Sequence, residues 1–324
     1  MSTDISPGPA PESTKPPTTA AKAVVQPGDR IFAGSATAAG VLILIVLAGV
    51  AAFLLIEAAP AFVAPAADVP GGNGLVAYIW PLVFGTLLAA FIALLIATPL
   101  AVSVALFITH FAPRRIAQPL GYLIDLLAAV PSIVYGLWGV AVLAPASVGL
   151  MTWLQDNLGF IPLFAGPVST TGRTMLVVGV TLAVMILPII TAVSREVFLQ
   201  TPTLHEEAAL ALGATRWEMI KMAVLPFGRS GIISGAMLGL GRALGETMAV
   251  AIILSVSGAV TFNLISSGNP STIAANIALS FPESTGLAVN TLIASGLVLF
   301  VITLAVNSLA RFIINRRREF SGAN

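Results

Sequence analysis

Two opposite charges stand one helical turn apart in an otherwise apolar stretch: Arg242 and Glu246, within GLGRALGETMAV at 239–250. A charge at the centre of a bilayer costs roughly 2.5–3.5 kcal/mol even on lenient scales, so such residues are rare there and mark a pairing or a use. Two readings fit. The two form an internal ion pair, which an apolar pair would usually replace without loss of stability. Alternatively, Arg242 presents its fork of N–H donors to a crossing tetrahedral oxyanion. Glu246 would then hold that fork and compete for it, keeping the site weak enough to release its anion. Positions 231, 235, 239, 242 and 246 fall within about 80° of one another on a helix turning ~100° per residue. The first three are glycines, and small residues at this spacing admit a neighbouring helix backbone. The charges are therefore expected to face a bundle interior.

A second set of polar groups occupies 201–226, TPTLHEEAALALGATRWEMIKMAVLP. Thr203-x-x-Glu206, directly after Pro202, has capping-box spacing and predicts a short helix over 204–212. Gly213 is suited to end that helix in a left-handed conformation. Thr215-x-x-Glu218 repeats the spacing and predicts a second helix. It would carry Trp217, Ile220 and Val224 on one side, with Leu225-Pro226 stopping it. Such a loop either lies on a bilayer surface or docks on a partner. His205-Glu206-Glu207 invites a zinc-protease reading, but H-E-x-x-H needs a histidine where this sequence has Ala209. The other histidine, His110, closes an apolar span, and no metal site is expected. An intramembrane acid–base enzyme built on His110 or Glu246 would lack a paired nucleophile. No Walker A pattern occurs, so ATP hydrolysis by that route is excluded for this chain.

The elements that must position these groups are membrane spans. The 324 residues are 57% hydrophobic and only 9% charged, against roughly 25% charged in soluble domains. Apolar runs recur along the whole sequence, so the class is an all-α polytopic membrane protein. Six spans are predicted, at about 33–59, 80–111, 119–143, 173–194, 228–256 and 286–312. Asp125 would fall in the third span, near its watery end. Residues 144–171 and 257–285 would be external segments, with 151–158 a short surface helix in the first. Asn290 and Asn307 would be interhelical hydrogen-bond donors, and Trp80, Tyr135 and Trp138 fit an interfacial aromatic belt. Residues 1–29, rich in Pro, Ser, Thr and Ala, form a disordered cytoplasmic tail, and 319–324 a short C-terminal one. Of fifteen basic residues, thirteen fall on one side when both termini are cytoplasmic, which sets the orientation. Cysteine is absent, which excludes disulfides and thiolate chemistry.

Glu207-Ala208-Ala209, Gly213 and Leu225-Pro226 resemble the EAA-x3-G-x9-I-x-LP signature of permease subunits of ABC importers. Ala223 stands at the isoleucine position. The resemblance implies that 201–226 is the coupling-helix loop, with Glu206, Glu207, Ala208, Ala209, Gly213, Leu225 and Pro226 at the contact with an ATPase. It also implies a type I ABC importer (MetI-like) architecture over 30–318. Gly241–Ala249, GRALGETMA, together with Val130–Gly136, VPSIVYG, is similar to PstC-type permeases of phosphate importers. That family implies phosphate as substrate and Arg242 and Glu246 in the substrate path. It implies a PstA-like sister permease, a PstB-like ATPase dimer that holds the ATP and magnesium, and an external PstS-like binding protein. A lone arginine would equally suit sulfate or molybdate, or a stand-alone anion channel.

Overall fold

Helix α6, Met175–Leu199, supplies the centre of the hydrophobic core in the computed structural model. Residues 27–255, 258 and 260–318 are described. Residues 1–26 of the expected tail, Val256 at the expected end of span five, and the 319–324 tail lie outside them, as do the side chains of Arg316, Arg317 and Arg318.

The elements before α6 are α1 (Pro27–Val63), α2 (Leu75–Leu106), α3 (Arg114–Ala128), α4 (Ser132–Trp138) and α5 (Ala144–Leu158). After it come α7 (Thr203–Ala211), α8 (Arg216–Met219), α9 (Leu225–Leu244), α10 (Met248–Ile253), α11 (Ile273–Ser280) and α12 (Leu287–Arg318). Wider π-helical turns at Phe107–Phe111, Gly139–Leu143 and Ile220–Val224 extend α2, join α4 to α5 and join α8 to α9. Six helical stretches are long and apolar enough to cross a membrane: Gly28–Val63, Leu75–Phe111, Ser132–Leu158, Met175–Leu199, Arg216–Leu244 and Leu287–Phe312.

The chain divides into two units at Val50. The first contributes the exposed N-terminal part of α1. The second holds the core. In it, Ala89, Ala93, Ala97, Ala101 and Ala105 of α2 recur every fourth residue and are buried, so this face can approach a neighbouring backbone closely. Thr191 of α6 donates to the Ala101 carbonyl at 3.4 Å, and Gly179 of α6 abuts Ile92. On its other side α6 receives a seam of glycines from α9. A Cβ at Gly228 would meet the Phe198 ring, one at Gly235 would lie 3.2 Å from Val193 Cβ, and one at Gly239 3.0 Å from Ile190. Gly231 abuts Val197 in the same way. The glycine stripe expected on α9 is thus a helix contact, and the alanine ladder on α2 is an equally regular sequence signal for a second one. Near the chain's start, Ala58 and Ala61 of α1 pack with Ile79 and Ala294. Asn290 fulfils its expected role, donating to the Glu57 carbonyl at 2.6 Å.

Several expectations give way, among them the fifth span, whose helical stretch runs over Arg216–Leu244 and stops short of the expected 228–256. The third stretch long and apolar enough to span runs over Ser132–Leu158 instead of 119–143, so residues 144–158 continue that helix and 151–158 is no separate helix. Pro131 is the reason: it disfavours helix at Val130 and sits naturally at the start of a new one. It detaches α3 as an amphipathic helix, where Asp125 approaches Arg195 of α6 at 4.0 Å. That Asp125 carboxylate is half-exposed, and such pairs contribute little. Tyr135 is buried, its hydroxyl donating to the Leu127 carbonyl at 2.8 Å, so it fastens α4 to α3 instead of joining an aromatic belt.

Gly235→Leu should force α6 and α9 apart. Its thermal midpoint in detergent should fall, reflecting an overpacking cost of about 1–3 kcal/mol. Gly149→Ala, whose Cβ would meet nothing within 4 Å, should leave the midpoint unchanged or slightly higher. Equal midpoints for the two variants would mean the seam is not tight.

Candidate functional site

The polar loop after α6 folds as two short helices pinned from beneath. Ala209, Met219, Ile220 and Val224 pack with Ala105, Leu106 and Phe198, so the loop rests on the ends of α2 and α6. Gly213 has φ +87°, the left-handed conformation expected of it and one that side chains disfavour. The second capping box forms: Thr215 Oγ1 accepts from the Glu218 amide at 3.3 Å, and Glu218 Oε2 accepts from the Thr215 amide at 2.8 Å. The first does not. Pro202 occupies the cap position without a side-chain bond, and Glu206 turns to His110 instead, at 3.4 Å. His110 is held by Thr109, whose hydroxyl lies 2.6 Å from Nδ1. A tertiary partner has displaced a local cap, and span two is thereby tied to the loop.

What the loop leaves outside is equally defined. Glu207, Ala208 and Gly213 are exposed, and Leu204 and Leu212 project with 74% and 89% of their surface free. Ala209 faces inward, Leu225 is half-buried on the same cluster and Pro226 is exposed farther along. The expected contact set therefore splits. Glu207, Ala208 and Gly213 face out, Glu206 and Ala209 fasten the loop, and Leu225-Pro226 lies where the loop enters the membrane helix. Leu225-Pro226 does not stop the second helix. The wider turn at Ile220–Val224 carries the chain through, with Pro226 in the first turn of α9, where no intrahelical donor is required. Trp217 is half-exposed beneath the Lys221 ammonium at 5.1 Å, so it does not share the buried side of Ile220 and Val224.

At the other end of α9 the expected Arg242–Glu246 pair is absent. The helix ends at Leu244, and Gly245-Glu246-Thr247 break the chain before α10. Glu246 Oε1 accepts from the Ala249 amide at 3.0 Å and is buried. A carboxylate that caps the next helix satisfies a backbone donor that would otherwise be orphaned, and it cannot also continue the stripe of α9. Among the described residues, the ion pairs are His110–Glu206 and Asp125–Arg195, and Arg242 belongs to neither. Arg242 lines a cavity of about 680 Å³ together with Ile189, Ser234, Met237, Asn307 and Arg311. Asn307, expected as an interhelical donor, thus faces this space.

The two sequence stretches 130–136 and 241–249 meet in space. A Cβ at Gly136 would lie 2.9 Å from Ala249 Cα, so α4 crosses α10 backbone against backbone. Arg173 closes the far end of α10, donating to the carbonyls of Ile252 and Ile253 at 2.7 and 3.0 Å. Outside the helices, Leu264 donates to the Leu163 carbonyl and Ser169 to the Ile265 carbonyl, both at 2.9 Å, joining the two inter-span segments.

Residues 97–319 match the family model described as "Binding-protein-dependent transport system inner membrane component". The phosphate transport system permease protein PstC 2 of Mycobacterium tuberculosis is 46% identical over 298 residues, 88% of this chain and 91% of its own. PstC of Xylella fastidiosa is 45% identical over 245 residues, 74% of each chain. That of Mesorhizobium japonicum is 38% identical over 314 residues, 91% of this chain and 92% of its own. Among solved structures, a bacterial ABC transporter involved in import of the acidic polysaccharide alginate superimposes with a TM-score of 0.55. It is 15% identical and covers 88% of this chain and 98% of that one. That likeness speaks to the fold alone.

Two local substitutions test this geometry. Thr215→Ala removes one half of the capping box, a change that costs about 0.5–2 kcal/mol, and should speed hydrogen exchange at the amides of Trp217 to Met219. Glu246→Ala should do the same at Ala249, whereas Glu246→Gln, which keeps an acceptor oxygen, should hold that amide close to its native protection. Loss of protection in the glutamine variant would show that the charge matters more than the acceptor.

Proposed function

The chain belongs to the inner-membrane components of binding-protein-dependent transport systems, as a PstC-type phosphate permease of an ABC importer, and from that premise we propose how its residues divide the work. One observation carries the reading. The polar loop and Arg242 stand on a single run of helix, from the capped start at Thr215 through α8, the wide turn and α9. At ~1.5 Å per residue, Arg216 and Arg242 are about 39 Å apart along that run. A displacement imposed on the loop is thereby delivered to the guanidinium.

The outward face, Glu207, Ala208 and Gly213 with the projecting Leu204 and Leu212, seats against an ATPase subunit of the PstB type. Glu206 and Ala209 keep that face in position, and Leu225-Pro226 passes the movement on. ATP and magnesium are held by the ATPase, and this chain supplies no hydrolytic group. A PstA-like sister permease completes the pathway, and a PstS-like protein delivers phosphate outside the cell. Both termini are cytoplasmic, which places the loop on the side where ATP is available.

In the pathway, Arg242 offers paired N–H donors to the oxyanion. Its freedom from an intramolecular carboxylate supports this role, since a paired guanidinium would have to be released first. Glu246 acts on the path indirectly, capping the start of α10 where it crosses α4. Closure of the ATPase dimer draws the loops together, and the helices open the site to the outer face, then to the inner one.

ATP-dependent uptake of labelled phosphate into vesicles carrying the whole transporter tests the assignment. Uptake should persist in excess sulfate or molybdate and fall by at least about tenfold in Arg242→Gln, as expected for loss of a charge-assisted contact. Normal uptake in that variant would remove Arg242 from the path. Glu207→Ala should lower both uptake and co-purification of the ATPase, and unchanged values for both would displace the docking face.

A further inference from the structure

The cavity beside Arg242 contains a second guanidinium. Arg311 lines it, two turns before the end of α12 at Arg318, together with the amide of Asn307 one turn earlier. Of the residues forming the wall, the charged ones are both arginines, with no carboxylate present. Ser234 contributes acceptor oxygen only, because its hydroxyl already donates to the Ser230 carbonyl at 2.8 Å. Two like charges facing one space repel each other unless an anion or water lies between them. A volume of about 680 Å³ is ample for a hydrated tetrahedral oxyanion.

We propose that Arg311 and Asn307 form a second oxyanion station, which receives phosphate from Arg242 and releases it toward the C-terminal end of α12. The proposal rests on the assignment of Arg242 to the substrate path and deepens it. Two weak sites in sequence allow an anion to leave the first without entering bulk hydrocarbon, and release stays fast because neither site completes the anion's shell. Asn307 adds neutral donors to the charged fork of Arg311, a combination that binds an oxyanion more weakly than two guanidiniums closing on it together. The shared chemistry, a phosphoryl oxyanion, could also come from the headgroup of an anionic lipid reaching the cavity from the bilayer.

The absence of cysteine from the chain gives a direct test. Ser234→Cys places one thiol of this subunit on the cavity wall in a transporter reconstituted with partner subunits from which accessible cysteines have been removed by substitution. In phosphatidylcholine vesicles, a negatively charged thiosulfonate should label it faster than a positively charged one of similar size. Inorganic phosphate should slow both reactions. Adding Arg311→Gln should lower the anionic-to-cationic rate ratio by about tenfold and abolish protection by phosphate, as removal of one fixed charge at close range predicts. Phosphate uptake by Arg311→Gln, assembled in normal amount, should fall severalfold, with Arg311→Lys in between. A rate ratio that Arg311→Gln leaves unchanged, or a thiol that phosphate does not protect in the Arg311-containing transporter, would overturn the proposal. So would protection that appears only when anionic lipid is added and not with inorganic phosphate. If Arg242→Gln transports normally, the parent assignment fails. Loss in Arg242→Gln with normal uptake and labelling in Arg311→Gln would sink the second station alone.

Discussion

Backbone contact between α6 and α9 is the constraint on which the other features depend. Within a bilayer, lipid competes on equal terms with apolar side chains, so helices associate through close van der Waals fit and not through the expulsion of water. Gly228, Gly231, Gly235 and Gly239 permit that fit against Phe198, Val197, Val193 and Ile190. The alanine face of α2 does the same from the opposite side. With α6 held between them, the loop after α6 and the arginine near the end of α9 are fixed to one frame.

The frame explains why the loop is anchored by so few residues. Ile220, Val224 and Met219 enter a small apolar cluster with Phe198 and Leu106, and the His110–Glu206 contact adds a tie to span two. The wider turn at Ile220–Val224 lets the chain pass Leu225-Pro226 without ending the helix. Insertions of this kind often mark functional positions in helices. Here the insertion joins the exposed loop to the apolar helix α9.

Arg242 and Glu246 show how helix termination alters chemistry. On an unbroken helix they would neutralise one another. Gly245 and the carboxylate cap at Ala249 separate them, giving Glu246 a backbone partner and leaving Arg242 facing a cavity with Arg311. The cavity it faces is walled by Ile189, Met237 and Leu238 as well as by Ser234 and Asn307, and in so apolar a setting a charge-assisted hydrogen bond is stronger than it would be in water.

Sequence alone determined the membrane class, the existence of six spans, the left-handed Gly213, the Thr215–Glu218 box and the close-packing glycines. Each follows from composition, periodicity or a local hydrogen bond, all of which are encoded within a few residues. The signature residues of the loop and of GRALGETMA also carried the family. Tertiary structure decided what local rules left in competition. Glu206 could cap its own helix or reach His110, 96 positions away. Glu246 could pair with Arg242 or cap α10, and Leu225-Pro226 could end a helix or be bridged by a wide turn. Asn307 and Arg311 could face lipid, solvent or a cavity, and only the packing of α12 beside α9 places them with Arg242. In each case two interactions of similar strength were available, and the choice fell to whichever neighbour the fold brought within reach.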